Sequence, residues 1–161
     1  MGIEIVNHQN EVRIDLRKIR NIADILFSHL STLQGKMIDV AFIDESTMKI
    51  INEEFRGEKE PTDVLSFSYI NSHIDSTKTN TSENQQQPIF GELLICPKVA
   101  FNQSKELNHS FEKEIAILIS HGLLHLLGYD DSSLEKAKKM EKNQSELIEK
   151  LCSQINLYEE D

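Results

Sequence analysis

Basic residues are scarce in this 161-residue chain: 17 Lys and Arg stand against 27 Asp and Glu, a formal net charge of −10. Phosphate neutralisation supplies most of the non-specific affinity for nucleic acid, so this balance excludes a broad basic surface that wraps a polynucleotide. Cysteine is nearly absent. Cys96 and Cys152 lie far apart, which leaves neither a disulfide framework nor a Cys-rich zinc module. Long apolar runs are missing too, and no stretch reaches the roughly 18 residues of a membrane span. The opening Met1-Gly2-Ile3-Glu4-Ile5 has no basic region leading into a long apolar core, and Val6 stands where a myristoylation motif needs Ser or Thr. A soluble, cytoplasmic protein without a membrane partner is the expectation.

What is present suffices for one core. Hydrophobic residues make up 39% of the chain, and the length fits a single domain over 1–161, since domains run roughly 100–150 residues. Ile3–Val6 reads as an opening strand. Leu16, Ile19, Ala23, Leu26, Phe27 and Leu30 follow the three-four spacing of an amphipathic helix. Met37–Ile43 reads as a buried strand, and Asp44 or Glu45 opens a helix with Met48, Ile51 and Phe55 on one face. Val64–Tyr69 and Ile89–Cys96 read as strands, and Pro97 suits the first turn of a helix reaching about Leu107. Between those two strands, 71–88 is polar and low in complexity, and reads as a flexible loop within the domain.

Ser110 is a candidate N-cap, with Glu112 and Glu114 at the positive end of the helix dipole. Ile115, Leu118, Ile119, Leu123 and Leu126 make the helix that follows strongly apolar and place it centrally. Gly128 ends it. Ser132-Ser133-Leu134-Glu135 has the form of a capping box. The last helix then buries Ala137, Met140, Leu147, Ile148, Leu151 and Ile155. The mixture points to an α/β or α+β domain with about four strands.

The segment with the most chemistry is His121-Gly122-Leu123-Leu124-His125-Leu126-Leu127-Gly128-Tyr129-Asp130-Asp131. Residues four apart on a helix are separated by about 40° around the axis and one turn along it, so both imidazoles can reach one ion. The negative end of the helix dipole favours a cation there. Gly128 lets the chain reverse, so that a carboxylate beyond it can add a third ligand. Two imidazoles, one carboxylate and an open position suit catalytic zinc. Two buried histidines bonded to backbone carbonyls would leave the same pattern. Zinc proteases with such a helix carry Glu after the first His as general base, whereas Gly122 stands here.

A second segment runs Arg56-Gly57-Glu58-Lys59-Glu60-Pro61-Thr62-Asp63-Val64-Leu65-Ser66-Phe67. Arg56 beside a turn is placed to grip phosphate, or to pair with its acidic neighbours. Thr62 and Asp63 read as structural bonding groups at a turn. Outside both segments, His8 and His29 read as surface groups, Cys96 as a buried thiol, and Lys136, Lys138, Lys139 and Lys142 as a solvated face.

Taken together, Arg56 to Phe67, Gly91-Glu92-Leu93 and the His121 to Asp130 run resemble the YbeY family of bacterial rRNA-maturation endoribonucleases, in order and spacing, over nearly the whole chain. The resemblance implies an α+β fold in which a small mixed sheet of about four strands packs against about five helices, with the metal-binding helix central. It implies a zinc site and a single-strand-specific, metal-dependent endoribonuclease acting in small-subunit rRNA processing and ribosome quality control. The partners it implies are single-stranded RNA and the ribosome or its associated proteins, not DNA. Arg56 matches the family's arginine and would stabilise charge on the phosphate. The family's third ligand is usually His, ten residues after the first; Asp131 stands there instead. The metal set is therefore His121, His125 and Asp131, with Asp130 as the competing third ligand, and carboxylate oxygen would shift preference toward harder ions such as manganese.

Two other readings keep the site and change its use: a metallohydrolase of another substrate class, and a non-catalytic zinc-containing ribosome assembly factor. In the second, a fourth ligand would come from His73, His109 or Asp130. On an acidic body, Arg56 with Lys59 and Lys98 would form a local positive cleft. RNA binding should then be weak, with a shallow salt dependence.

Overall fold

The computed structural model describes residues 2–69 and 89–157; the polar loop expected over 71–88 lies outside them. Strands β1 (Ile3–Asn7), β2 (Met37–Phe42), β3 (Val64–Ser68) and β4 (Ile89–Ile95) form one sheet in the order β1-β2-β4-β3. β1, β2 and β4 are mutually parallel, and β3 runs antiparallel to β4 as an edge strand. Among the described residues there are five α-helices: α1 (Leu16–Ser28), α2 (Glu45–Arg56), α3 (Pro97–Leu107), α4 (Phe111–Leu126) and α5 (Leu134–Cys152). No described helix is long and apolar enough to cross a membrane. This is the expected α+β architecture.

Alternation along the strands divides the apolar residues between the two faces of the sheet. Ile5, Ile38, Val40, Phe42, Leu93 and Ile95 face the larger cluster, which α1, α4 and α5 complete. Ile43, Leu65, Leu94 and Cys96 face a smaller cluster closed by Met48 of α2. α4 lies at the centre of the larger layer, touching α1, α3, α5, β3 and β4. Ile115, Ile119 and Leu123 are fully buried there, each stabilising the fold by about 1.5–3 kcal/mol over exposure.

The helix starts follow local chemistry. The side chains of Asp44, Ser110 and Ser133 accept the backbone N–H of Thr47, Lys113 and Lys136 at the heads of α2, α4 and α5. The last of these differs from the sequence reading. Ser133 and not Ser132 is the cap, so Glu135 sits one position too early to close a capping box. Ser132 is drawn away because its N–H and hydroxyl both donate to Asp130.

α2 also differs. Met48 is buried, but Phe55 is 62% exposed, and Asn52 takes the inward position near the helix end. Its amide donates to the Glu60 carbonyl at 2.7 Å, which ties down the turn after Arg56. α2 therefore covers the sheet only with its first half. On α5, Met140, Leu147 and Leu151 are buried as expected and Ile148 packs at the margin; Ala137 is only half-buried, and Ile155 packs at the margin from beyond the helix end.

Candidate metal and phosphate site

The C-terminal half of α4 meets the edge strand β3 across a cleft of about 530 Å³. Arg56, His121, His125 and Asp131 all line it. These are the four residues singled out from the sequence, and three separate segments deliver them to one place.

α4 supplies the histidines. Their ring centroids lie 4.6 Å apart and their Nε2 atoms 3.1 Å apart, so both rings present the same nitrogen to one point. Nδ1 of His121 lies 3.0 Å from Oε1 of Gln144 on α5. That oxygen can only accept, so Nδ1 carries the hydrogen and Nε2 keeps its lone pair. A ligating histidine is commonly oriented in this way. Burial, and then the neighbouring His121, pushes the His125 pKa below its ordinary value, which favours the neutral imidazole that a metal requires. The donor chemistry fits a divalent ion such as zinc.

Beyond the helix, Gly128 adopts φ +101°, and the Tyr129 N–H returns to the Leu124 carbonyl at 3.0 Å. This reversal brings Asp131, but not Asp130, to the cleft. Asp130 is committed locally: its Oδ1 accepts the N–H and hydroxyl of Ser132 at 2.9 and 2.8 Å. Those bonds hold its carboxyl below the usual carboxylate range. Asp131 is exposed and lines the cleft. Among the described residues no three His, Cys, Asp or Glu side chains converge as a group able to hold a metal. The histidine pair is thus formed, and Asp131 stands at its rim.

α2 brings Arg56 from the opposite face of the sheet. Gly57, at φ +74°, caps the helix and donates to the Glu53 carbonyl, so the last side chain is turned over the β3 edge. Nη2 of Arg56 lies 3.7 Å from Oε2 of Glu58, with both side chains about half exposed. Exposed pairs of this kind contribute only about 0–1 kcal/mol, so phosphate can displace the carboxylate. Lys59 and Lys98 do not line the cleft, because Lys59 is exposed in the turn and Lys98 belongs to the first turn of α3. Among the described lining residues Arg56 is the one Lys or Arg, so the positive cleft expected from the sequence reduces to a single side chain.

Thr62 and Asp63 are bonding groups. Asp63 accepts Val64 N–H at 2.7 Å, the Thr62 hydroxyl at 3.4 Å and Gln103 Nε2 at 3.2 Å. Gln103 Nε2 also donates to Glu114 at 2.9 Å, and Glu114 lies 2.6 Å from Nε2 of His109. His109 is therefore engaged away from the histidine pair, and His73 lies outside the described residues. Glu114, read from sequence as a dipole-facing carboxylate, is buried at 3% exposure with His109 as its partner. Neither Gln103 nor Gln144 carried a sequence signal, since a lone glutamine on a helix has none.

The family model described as Endoribonuclease YbeY matches residues 4–152. A protein named Endoribonuclease YbeY from Ureaplasma urealyticum is 36% identical over 138 residues, covering 86% of this chain and 82% of its own. One of the same name from Thermodesulfovibrio yellowstonii is 32% identical over 165 residues, covering 94% and 98%. The solution structure of TM1509 from Thermotoga maritima superposes with a TM-score of 0.64 at 26% identity, covering 94% of this chain and 89% of that one. With the family model spanning nearly the whole chain and both histidines, Arg56 and Asp131 in one cleft, the chain belongs to the YbeY endoribonuclease family.

Proposed function

We propose that this chain is a metal-dependent, single-strand-specific endoribonuclease that acts in small-subunit rRNA maturation and ribosome quality control in the cytoplasm. The observation that carries the reading is the 3.1 Å approach of the His121 and His125 Nε2 atoms in the cleft that Arg56 also lines, in a chain of an endoribonuclease family. His121 and His125 would hold the ion, with Asp131 as third ligand. A divalent ion there supplies Lewis-acid polarisation of a phosphate oxygen and acidifies water.

The chain's own groups do the rest. Gln144 fixes the His121 tautomer. Arg56 leaves Glu58 for the scissile phosphate and stabilises the charge that develops on its oxygens. The bonds around Asp63 hold the entry to β3 in place, so the cleft wall is set before substrate arrives. With one cationic side chain in the cleft, few phosphates are neutralised, and placement on the ribosome by a protein partner supplies the selectivity.

The test is cleavage of single-stranded and duplex RNA by wild type, His125→Ala and Arg56→Ala, with bound metal measured in each. Wild type is expected to cut the single strand. His125→Ala should lose both metal and cleavage, and Arg56→Ala should keep metal and lose cleavage. Undiminished cutting by folded, metal-free His125→Ala would sink the metal role.

A further inference from the structure

Phe55 is 62% exposed, although a large aromatic on a sheet-facing helix gains stability by turning inward. Its ring meets Phe67 edge to face, with centroids 5.3 Å apart and planes at 69°, so it is held in place while its surface stays open. Phe67 lies on the face of β3 that packs against the smaller cluster. Two residues on, Tyr69 is 42% exposed and its hydroxyl donates to Glu92 at 2.9 Å. Tyr69 follows the last residue of β3, but its N–H still bonds the Phe90 carbonyl at 2.9 Å. Glu92, which its hydroxyl reaches, is the register partner of Phe67. Paired residues share a face, so Phe55, Phe67 and Tyr69 lie along the outer side of the sheet edge. The next residue after Phe55 is Arg56, which reaches over that edge into the cleft.

We propose that Phe55, braced by Phe67 and continued by Tyr69, is a stacking ledge for unpaired nucleobases of the RNA strand whose phosphate is held by Arg56. The proposal rests on the endoribonuclease reading and deepens it. Every base offers a π-face and stacks on aromatic side chains without regard to sequence, which is how single strands are distinguished from duplexes. The surroundings favour a base over a phosphate. Glu53 and Glu54, the exposed residues just before Phe55 on α2, repel phosphate, so the backbone runs on the Arg56 side and the base turns outward onto the ring. The same acids argue against a protein partner, whose interface needs a continuous apolar centre depleted of charge.

The chain has no tryptophan, so Phe55→Trp places a single reporter on the ledge. Its fluorescence is recorded in the first milliseconds after mixing, before turnover, with a single-stranded oligoadenylate and with an abasic ribose-phosphate oligomer of equal length. Quenching by the first and not by the second is expected. In parallel, KM for the oligoadenylate is measured for Phe55→Ala and Phe55→Leu. A rise of roughly tenfold is expected in both, from the loss of one stacked base, because leucine keeps apolar volume but has no π-face. Ile50→Ala, an equally exposed apolar residue elsewhere on α2, should leave KM unchanged. Equal quenching by the abasic oligomer, or a normal KM in Phe55→Leu, would overturn the ledge. Base-dependent quenching in a wild-type background that cuts no RNA would support the ledge and overturn the endoribonuclease reading, so the two fail separately.

Discussion

His121 donates its Nδ1 hydrogen to Oε1 of Gln144 at 3.0 Å, a bond that joins α4 to α5 and decides which nitrogen of the ring faces the cleft. Replacing Gln144 by Leu removes the acceptor and lets both tautomers coexist. Outer-shell partners of this kind typically account for 10–100-fold in metal affinity, so a loss of about that size is expected by chelator competition. Gln144→Glu keeps an acceptor and should keep the affinity.

Asp131 and Asp130 separate by the same measurement. Asp130 is held by Ser132, so Asp130→Ala should loosen the turn while leaving metal affinity nearly intact. Asp131→Ala should lower it, and by more than Gln144→Leu does, because a donor atom and not an outer partner is removed. Asp131→His, which restores the residue usual in the family, should move preference from manganese toward zinc because imidazole replaces a hard oxygen donor. A larger loss of metal in Asp130→Ala than in Asp131→Ala would reverse the assignment.

Glu58 lies 3.7 Å from Arg56, where it would compete with a substrate phosphate for the guanidinium. Glu58→Gln frees the guanidinium at little cost to the fold. Exposed pairs are worth about 0.2–1 kcal/mol, so KM for single-stranded RNA should fall by up to about fivefold at low salt and converge with wild type at high salt, where the competition is screened.

The acid limb of stability should report the α2 cap. Asp44 accepts from Thr47 at 2.9 Å, and bonds from Thr47 hold its pKa below the ordinary value of 3.8. A carboxyl whose folded value is depressed contributes stability that is present above 3.8 and is lost as pH falls through the folded value. Asn caps as well as Asp but does not titrate there. Asp44→Asn should therefore flatten the fall in Tm below about pH 4 and leave Tm at neutral pH nearly unchanged.

Much of this architecture was legible because local rules and the global fold agree. The spacing of Ile19, Ala23, Leu26 and Phe27, and the caps at Asp44 and Ser110, act within one turn of chain. They therefore read directly from the sequence. The histidine pair was legible for the same reason. The Asp63–Gln103–Glu114–His109 chain was not, because its members come from a turn, a helix and the start of another helix, and only tertiary packing brings their polar atoms together. Phe55 misled in the opposite way. Its position in the helical period matched Ile51 and Met48, but α2 overruns the edge of the sheet, and Phe55 there packs against the edge of Phe67 while the rest of its ring stays open.

Gly122 lies between the two histidines, and a Cβ there would come within 2.6 and 2.8 Å of the Leu93 methyls. Leu93 is fully buried and has little space in which to move. Overpacking costs about 1–3 kcal/mol, against roughly 1 kcal/mol gained by Ala over Gly within a helix. Gly122→Ala should be less stable than wild type in urea denaturation, and Leu93→Ala should relieve the clash in the double variant, giving a non-additive cycle.

That contact also bears on which substrates this scaffold can be made to accept. A peptidase of the related helical type needs a carboxylate immediately after its first histidine, and here the Leu93 side chain of β4 fills the space such a residue would enter. Amide hydrolysis by that route is barred at the seat of the helix, well before any question of cleft chemistry arises. A redesign toward peptides would have to begin by thinning the sheet beneath α4, at a side chain with no solvent exposure.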